Sequence, residues 1–231
     1  MNHYFIAGTD TDVGKTRIAA ALLYAARQRG LTTAGVKPVA AGCEESAEGL
    51  RNDDALRLQA QCEPPLDYSQ VNPVALAPPI APHIAAAEKG VSLSVAELLP
   101  PVRDTLSAGA EFALVEGAGG WRVPLNERET LADLAVALKL PVILVVGVRL
   151  GCINHALLSA EAIRADGLPL AGWVANGIDP QAARAEENID TLRHWLQAPC
   201  LGVVPFCDGG EAPELARYLD LSSLVPAGYK P

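Results

Sequence analysis

Apolar runs of strand length alternate along the chain with stretches whose apolar residues have helical spacing. The predicted strands span 4–7, 33–37, 112–116, 142–146, 170–175 and 201–204. The predicted helices span about 15–29, 53–61, 93–107, 130–139, 153–166, 181–196 and 211–219. Strands such as 142–146 are apolar throughout, as expected where helices cover both faces of a parallel sheet. The order predicts an α/β fold with repeated βαβ units in one doubly wound, mainly parallel sheet.

The regular alternation is interrupted between positions 62 and 92, where the chain is rich in proline. We predict surface loops in this segment, with a short helix near 83–88. No low-complexity linker, internal repeat or break in composition divides the 231 residues. We therefore expect residues 1–231 to form a single domain.

One glycine-containing motif, Gly-Thr-Asp-Thr-Asp-Val-Gly-Lys-Thr at 8–16, connects the first predicted strand to the first predicted helix. A loop of this kind offers a phosphate the free N–H groups and positive dipole end of the helix. Lys15 is then expected to reach the β- and γ-phosphates, and the Thr16 hydroxyl to contact Mg²⁺. Five residues separate the two glycines instead of the usual four. The motif still predicts a phosphate-binding loop and P-loop NTPase architecture.

Charged residues follow two other predicted strands at the edge where open α/β sheets bind ligands. Lys37 is placed to stabilise charge on a transferring phosphoryl group, although a strand-end lysine is also commonly just solvated. Glu116 ends a strand that should be central, the position of an acid that holds Mg²⁺. Asp53 and Asp54 begin a predicted helix, where one of them serves as a cap or completes the metal ligands. The spacing does not decide between these two aspartates.

Two further segments have polar residues suited to ligand binding. Asn176-Gly-Ile-Asp179 is only superficially similar to a guanine-binding motif, because Gly177 replaces the required lysine. Asn176 is equally suited to an adenine edge or to a simple turn before Pro180. The segment 151–155 begins a predicted helix, whose free N–H groups suit an anion, although capping by Asn154 is the commoner role.

The composition excludes several other classes of function. Eighteen Lys and Arg residues against 27 Asp and Glu residues give a net charge of −9, which disfavours nucleic-acid binding. The five cysteines are scattered and form no Cys-x-x-Cys motif, which favours reduced thiols in a cytoplasmic protein. No segment approaches the roughly 20 apolar residues of a membrane span. We therefore expect a cytoplasmic protein without nucleic-acid or membrane partners.

Taken together and in order, six motifs resemble the dethiobiotin synthetase family over almost the whole chain. They are Gly-Thr-Asp-Thr-Asp-Val-Gly-Lys-Thr at 8–16, Thr-Ala-Gly-Val-Lys-Pro-Val at 33–39, Gly-Leu-Arg-Asn-Asp-Asp at 49–54, Val-Glu-Gly-Ala-Gly-Gly-Trp at 115–121, Val-Val-Gly-Val-Arg-Leu-Gly-Cys-Ile-Asn-His at 145–155 and Gly-Trp-Val-Ala-Asn at 172–176. Each motif alone is weakly specific, whereas the ordered set is highly specific.

The resemblance implies an ATP- and Mg²⁺-dependent cyclo-ligase of biotin biosynthesis. The family joins CO₂ or bicarbonate-derived CO₂ to 7,8-diaminononanoate (7,8-diaminopelargonate) and closes the ureido ring of dethiobiotin. A carbamate forms on one amine and attacks the γ-phosphate of ATP. The second amine then displaces phosphate from the carbamic-phosphoric anhydride. The resemblance also implies a homodimer with the substrate site at the subunit interface.

The resemblance also implies roles for individual residues. Lys15 and Lys37 match the catalytic lysines, and Thr16, Asp54 and Glu116 match the Mg²⁺ ligands, which favours Asp54 over Asp53. The implied nucleotide-binding residues are Asp12, Val13, Gly14, Lys15, Thr16, Arg17, Asp54, Glu116, Gly117, Ala118, Gly119, Asn176, Gly177, Pro205, Phe206, Cys207 and Glu211. The implied substrate-binding residues are Thr11, Lys37, Ala41, Gly151, Cys152 and Asn154.

Four residues depart from the family pattern. Asp12 replaces an expected Glu, Ala41 an expected Ser, and Arg149 an expected Lys, while Asn188 falls where some relatives have Tyr. None of these positions belongs to the implied set of metal ligands and catalytic lysines. We therefore expect them to change substrate affinity more than the type of reaction.

Three other functions are compatible with a phosphate-binding loop. ATP-switched partition and division-site proteins share the sheet and the loop, but they have a signature lysine where this chain has Asp10. Amidotransferase-type ligases of the cobyrinate kind need a further glutaminase domain, for which 231 residues leave no room. A small-molecule kinase is the generic alternative.

Overall fold

The structure is a computed structural model that describes residues 2–225, so the remainder of the predicted 1–231 domain lies outside the described residues. The strands in this range are β1 (Asn2–Gly8), β2 (Thr33–Val36), β3 (Val39–Ala41), β4 (Glu44–Ser46), β5 (Gly49–Arg51), β6 (Val74–Leu76), β7 (Phe112–Glu116), β8 (Val142–Val148), β9 (Leu170–Gly177) and β10 (Cys200–Val204). The helices are α1 (Lys15–Gln28), α2 (Asp53–Gln59), α3 (Tyr68–Val71), α4 (Pro82–Glu88), α5 (Val95–Ser107), α6 (Leu131–Leu138), α7 (Cys152–Ala165), α8 (Ala185–Trp195) and α9 (Ala212–Leu215), followed by a 3₁₀ helix at Ala216–Tyr218.

The six strands predicted from apolar runs form one parallel sheet in the order β10-β9-β8-β1-β7-β2. The predicted α/β fold with a doubly wound parallel sheet is therefore confirmed. β1 lies between β7 and β8, so the chain completes one side of the sheet before it builds the other. Such a reversal leaves a crevice at the carboxyl end of β1, and the motif at 8–16 begins there.

The buried side chains of the sheet belong to two hydrophobic clusters, one on each face. In β8, Val142, Leu144 and Val146 belong to one cluster, whereas Ile143 and Val145 belong to the other. Side chains of α5, α6, α7 and α8 complete the first cluster, and those of α1, α2 and α9 complete the second. Because helices cover both faces, both sets of side chains in a central strand must be apolar. This burial explains the continuous apolar runs in the sequence.

Several predicted boundaries need small corrections. β2 ends at Val36, so Lys37 follows the strand instead of ending it. β9 extends to Gly177, which places Asn176 inside the strand rather than after it. The helix predicted over 181–196 begins at Ala185, and the one predicted over 211–219 is split into α9 and a 3₁₀ helix. None of the helices in residues 2–225 is both long and apolar enough to cross a membrane.

The prediction of surface loops over 62–92 is wrong in part. The short helix near 83–88 is present as α4, but α3 and β6 were not predicted. β6 pairs in parallel with β3, and β4 pairs with β5 in an antiparallel hairpin, so two small sheets adjoin the main one. All four strands have three residues, which is too short for a periodic pattern to be recognised.

Candidate active site

The phosphate-binding loop connects β1 to α1 as predicted. Gly14 precedes α1 in the left-handed conformation, with φ of 85°, which residues with a Cβ atom rarely adopt. The Asn176 side chain lies directly against Gly14 and donates a hydrogen bond of 2.9 Å from Nδ2 to the Val13 carbonyl. Lys15 Nζ donates to the Asp10 carbonyl at 3.0 Å. The loop is therefore held in a defined shape from the side of β9.

Four predicted residues form one polar cluster beside this loop, and all of them except Asp54 are buried. Lys37 Nζ lies 2.7 Å from Glu116 Oε1 and 3.0 Å from Asp54 Oδ2. The Thr16 hydroxyl donates to the same Glu116 oxygen at 2.7 Å. Glu116 and Lys37 are 1% and 5% exposed, so they interact away from bulk water. The structure thus brings together the predicted catalytic lysine and all three predicted metal ligands.

Mutual charge stabilisation favours the charged forms of Lys37 and Asp54. Burial alone would lower the pKa of Lys37, but the charges of Glu116 and Asp54 outweigh it and raise the pKa above its ordinary value. Burial likewise opposes ionisation of Asp54, yet the Lys37 charge holds the pKa of that carboxyl below its usual range. Lys15 has no contact of comparable strength, and its burial lowers its pKa. Lys37 is therefore the firmly charged cation of the cluster.

The donor set of the cluster fits Mg²⁺. Glu116 Oε2 is buried and has no hydrogen-bond partner among the described residues. A buried carboxylate oxygen without a partner carries an energetic cost that a cation would relieve. No group of three His, Cys, Asp or Glu residues suited to a metal occurs within residues 2–225. A magnesium site here would therefore use two carboxylates and the Thr16 hydroxyl, with water or phosphate oxygens completing it.

Residues that the sequence did not single out position Lys37 and Asp54. Asn52 caps α2 by accepting the Ala55 N–H with its side chain, and its own N–H donates to the Tyr68 hydroxyl at 2.8 Å. That hydroxyl donates to Asn72 Oδ1, and Asn72 Nδ2 donates to the Lys37 carbonyl. The start of the helix that bears Asp54 is thus connected to the backbone of Lys37.

A cleft of about 1050 Å³ opens in front of this cluster. Its walls contain twelve of the residues predicted to bind nucleotide, substrate or metal: Thr11, Asp12, Gly14, Lys15, Thr16, Arg17, Lys37, Ala41, Asp54, Glu116, Ala118 and Gly119. Residues from the phosphate loop, β3, α2 and the loop after β7 therefore meet around one space. Its volume is sufficient for a nucleotide and a second substrate.

A smaller pocket of about 370 Å³ adjoins the cleft at Arg17. Arg17 donates to the carbonyls of Cys207 at 3.1 Å and Gly210 at 3.4 Å, which connects α1 to the segment after β10. Arg57 and Glu211 form an ion pair of 3.7 Å between α2 and that segment. The structure therefore places Cys207 beside α1 and Glu211 beside α2.

Some predicted site residues contribute backbone rather than side chain to this region. The Val13 side chain is buried in the core, so only its backbone is available to a nucleotide. Gly117 packs on the ring of Phe5. Gly177 lies against the segment after β10, and a Cβ atom at this glycine would be 2.6 Å from the Phe206 nitrogen. Gly177 is therefore needed for close approach of the two segments.

The predicted substrate residues at the start of α7 lie apart from this cleft. Gly151, Cys152 and Asn154 are absent from its walls, and the Cys152 side chain is buried. Gly151 precedes the helix with φ of 93° and is exposed, as is Asn154. Within one chain, the structure does not bring this segment together with the polar cluster around Lys37. Its role in substrate binding stays a prediction.

Comparisons with known proteins agree with this geometry. The family model described as AAA domain matches residues 2–213. A solved ParA family ATPase from Chlorobium tepidum has a TM-score of 0.55 and 13% identity, covering 98% of this chain and 93% of that chain. An identity this low supports a shared fold and nothing about activity.

Other relatives have a much higher sequence identity to this chain. ATP-dependent dethiobiotin synthetase BioD of Pseudomonas aeruginosa (strain UCBPP-PA14) is 62% identical over 224 residues, covering 97% of this chain and 98% of the relative. The protein of the same name from Cellvibrio japonicus is 60% identical, with the same coverage of both chains. Identity at this level over nearly the full length confirms the resemblance found in the motifs. The chain belongs to the ATP-dependent dethiobiotin synthetase family.

Proposed function

We propose that the protein is the ATP- and Mg²⁺-dependent cyclo-ligase that makes dethiobiotin from 7,8-diaminononanoate and CO₂ in biotin biosynthesis. The observation that carries this proposal is the placement of Lys37 within 3.0 Å of both Asp54 and Glu116, beside a phosphate-binding loop, in a member of this family. This arrangement holds one charged lysine and two carboxylates suited to Mg²⁺ where a phosphoryl group would be transferred. ATP is the co-substrate, and bicarbonate is the source of CO₂.

The chemistry that we propose uses the two lysines at different points. The carbamate formed on one amine of the substrate attacks the γ-phosphate, and negative charge gathers on the transferring oxygens. Lys15, in the phosphate loop, holds the β- and γ-phosphates, while Lys37, beside that loop, stabilises the transferring group. A bound Mg²⁺ would neutralise phosphate charge at Thr16, Asp54 and Glu116. The second amine then attacks the anhydride carbon, closes the ring and releases phosphate.

The cleft also suits the diamine. Thr11 and Ala41 lie on the walls of the cleft together with Lys37. The apolar side chains of Val39 and Ile80 line the same cleft. Apolar walls fit the hydrocarbon part of the substrate, and Thr11 offers a hydroxyl to the reacting amines. Ala41 lacks the hydroxyl of the expected serine, so we expect weaker substrate binding there than in relatives that have serine.

We further propose a homodimer in which the start of α7 receives the substrate carboxylate from the neighbouring subunit. Leu150 is 97% exposed and Leu158 is 57% exposed, and an apolar surface of this kind supports burial against a second copy. The positive end of α7 supports binding of a carboxylate. Sedimentation of the fully active enzyme should give a dimer. A monomer with full activity would contradict a shared site.

The domain organisation and the cellular location are proposals as well. We propose that residues 1–231 form one domain, which is supported by helices on both faces of one sheet throughout residues 2–225. We propose a cytoplasmic location, which is supported by the five cysteines, since all of them are free thiols.

The alternative of an ATP-switched partition or division-site protein is not favoured. The ParA family ATPase shares the fold of this chain, but only 13% of its sequence is identical. The lysine characteristic of those switches is replaced by Asp10, whose carboxylate has the opposite charge. Asp10 therefore cannot supply the positive charge with which that lysine binds a phosphate.

The proposed function predicts that ADP release depends on both second substrates. With MgATP, the rate should rise at least about tenfold when 7,8-diaminononanoate and bicarbonate are added together, because the attacking carbamate needs both. Either one alone should leave the rate at its basal value. The measurement is coupled ADP release in buffer freed of CO₂. Rapid turnover without the diamine would instead support a switch ATPase.

A further inference from the structure

Arg149, the residue directly after β8, forms an ion pair with Asp10 of the phosphate loop. Its terminal nitrogen lies 2.6 Å from Asp10 Oδ2, and both side chains are nearly half exposed. An exposed ion pair of this kind contributes little to the free energy of unfolding. If the pair affects activity, it does so through the residues that Asp10 contacts.

Asp10 connects Arg149 to two residues of the proposed reaction. Its other carboxylate oxygen accepts the Thr11 N–H at 2.8 Å, and its carbonyl accepts Lys15 Nζ at 3.0 Å. Thr11 lies on the wall of the substrate cleft, and Lys15 is the phosphate lysine. A shift of Asp10 would therefore move both residues.

The middle of the phosphate loop has few other restraints. The Thr9 N–H bonds to the Val145 carbonyl, and Asn176 holds the other end of the loop at Val13. Between these points Thr11 and Asp12 are exposed, and Asp12 has φ of 57°, which is uncommon for residues other than glycine. The loop also has one residue more than the usual spacing between its glycines. Arg149, directly after β8, restrains this exposed middle part of the loop through its ion pair with Asp10.

We propose that Arg149 is a positioning residue, which acts through Asp10 to hold Thr11 and Lys15 in the geometry that binds phosphate and substrate. It does not touch the reacting atoms. The role in substrate binding rests on the proposed ligase function, whereas the effect on phosphate binding does not. The planar guanidinium fork suits a fixed contact with a carboxylate, although a lysine would supply the same charge.

The test compares three variants by calorimetric binding of MgADP and by steady-state kinetics. Arg149→Gln should weaken MgADP binding and raise the KM of the diamine, each by about tenfold, with kcat changed by less than about threefold. Arg149→Lys should restore both to within about threefold of the parent. Asp10→Asn combined with Arg149→Gln should be no worse than Arg149→Gln alone, because both changes remove the same contact.

Arg193 provides a matched control. It pairs with Asp190 at the same distance of 2.6 Å, but on the outer surface of α8, where both side chains are more exposed. Arg193→Gln should leave MgADP affinity unchanged, and all variants should keep the parental unfolding temperature. Unchanged MgADP affinity in Arg149→Gln would overturn the proposal, whichever product the enzyme makes. If MgADP binding weakens as expected but no dethiobiotin forms in the parent, the ligase proposal fails and the positioning role of Arg149 stands.

Discussion

Replacing Lys37 with glutamine is expected to lower kcat by about 100- to 1,000-fold while the Kd of ATP changes by less than about tenfold. The ammonium is fully charged and points at the cleft, so its largest contribution comes when charge gathers on the transferring phosphoryl group. Glutamine has a similar length and keeps a hydrogen-bond donor, but it has no charge. Single-turnover kinetics with ATP titrations separate the two quantities.

The control for this experiment is Lys89→Gln, since Lys89 is exposed at the end of α4 and does not line the cleft. It should behave as the parent enzyme. Thermal unfolding of the Lys37 variant shows whether the remaining carboxylates disturb the fold. If kcat and ATP affinity fall by the same factor, Lys37 contributes ordinary ground-state binding, and its assigned role in the transition state is wrong.

Glu116→Gln is expected to have the second large effect, on activity and on folding together. The substitution removes a buried charge that lies 2.7 Å from both Lys37 Nζ and the Thr16 hydroxyl. Mg²⁺-dependent turnover should fall at least about 100-fold, because a metal ligand and its charge are lost. The free energy of unfolding should fall by about 3 kcal/mol, since Lys37 loses its closest buried counter-charge. Denaturant titration and Mn²⁺ binding by electron paramagnetic resonance measure the two effects separately.

The double variant Lys37→Gln with Glu116→Gln distinguishes these contributions. It should be more stable than Glu116→Gln alone, because no buried lysine remains without its closest counter-charge, yet it should stay inactive. Glu127→Gln, on the exposed loop before α6, is the matched surface control and should resemble the parent. Parental Mn²⁺ affinity in Glu116→Gln would exclude this carboxylate as a metal ligand.

The sequence was most informative where one physical requirement determines the residues. Continuous apolar strands such as β8 follow from burial on both faces, and all six strands of the main sheet were predicted from them. The phosphate loop was predicted because Gly14 must adopt a positive φ and Lys15 must follow it. Lys37 and Glu116 were found because the carboxyl ends of parallel strands meet at one edge.

The sequence was least informative where contacts join residues that are distant in the chain. Nothing local distinguishes Asn72 from any other loop asparagine, yet it is 3% exposed and holds the Lys37 carbonyl. The capping box at α3, in which Asp67 and Gln70 bond to each other's backbone, is a local signal for the helix that precedes Asn72. The pairing of Arg149 with Asp10 spans 139 positions and follows only from the neighbouring positions of β1 and β8.

We propose that this site closes the ureido ring of dethiobiotin. The measurement that tests this most directly is the product mass after incubation with MgATP, 7,8-diaminononanoate and ¹³C-bicarbonate. We predict a product with the mass of dethiobiotin that carries a single ¹³C atom, formed in equal amount to the released ADP. ADP release without any product of that mass would contradict the account.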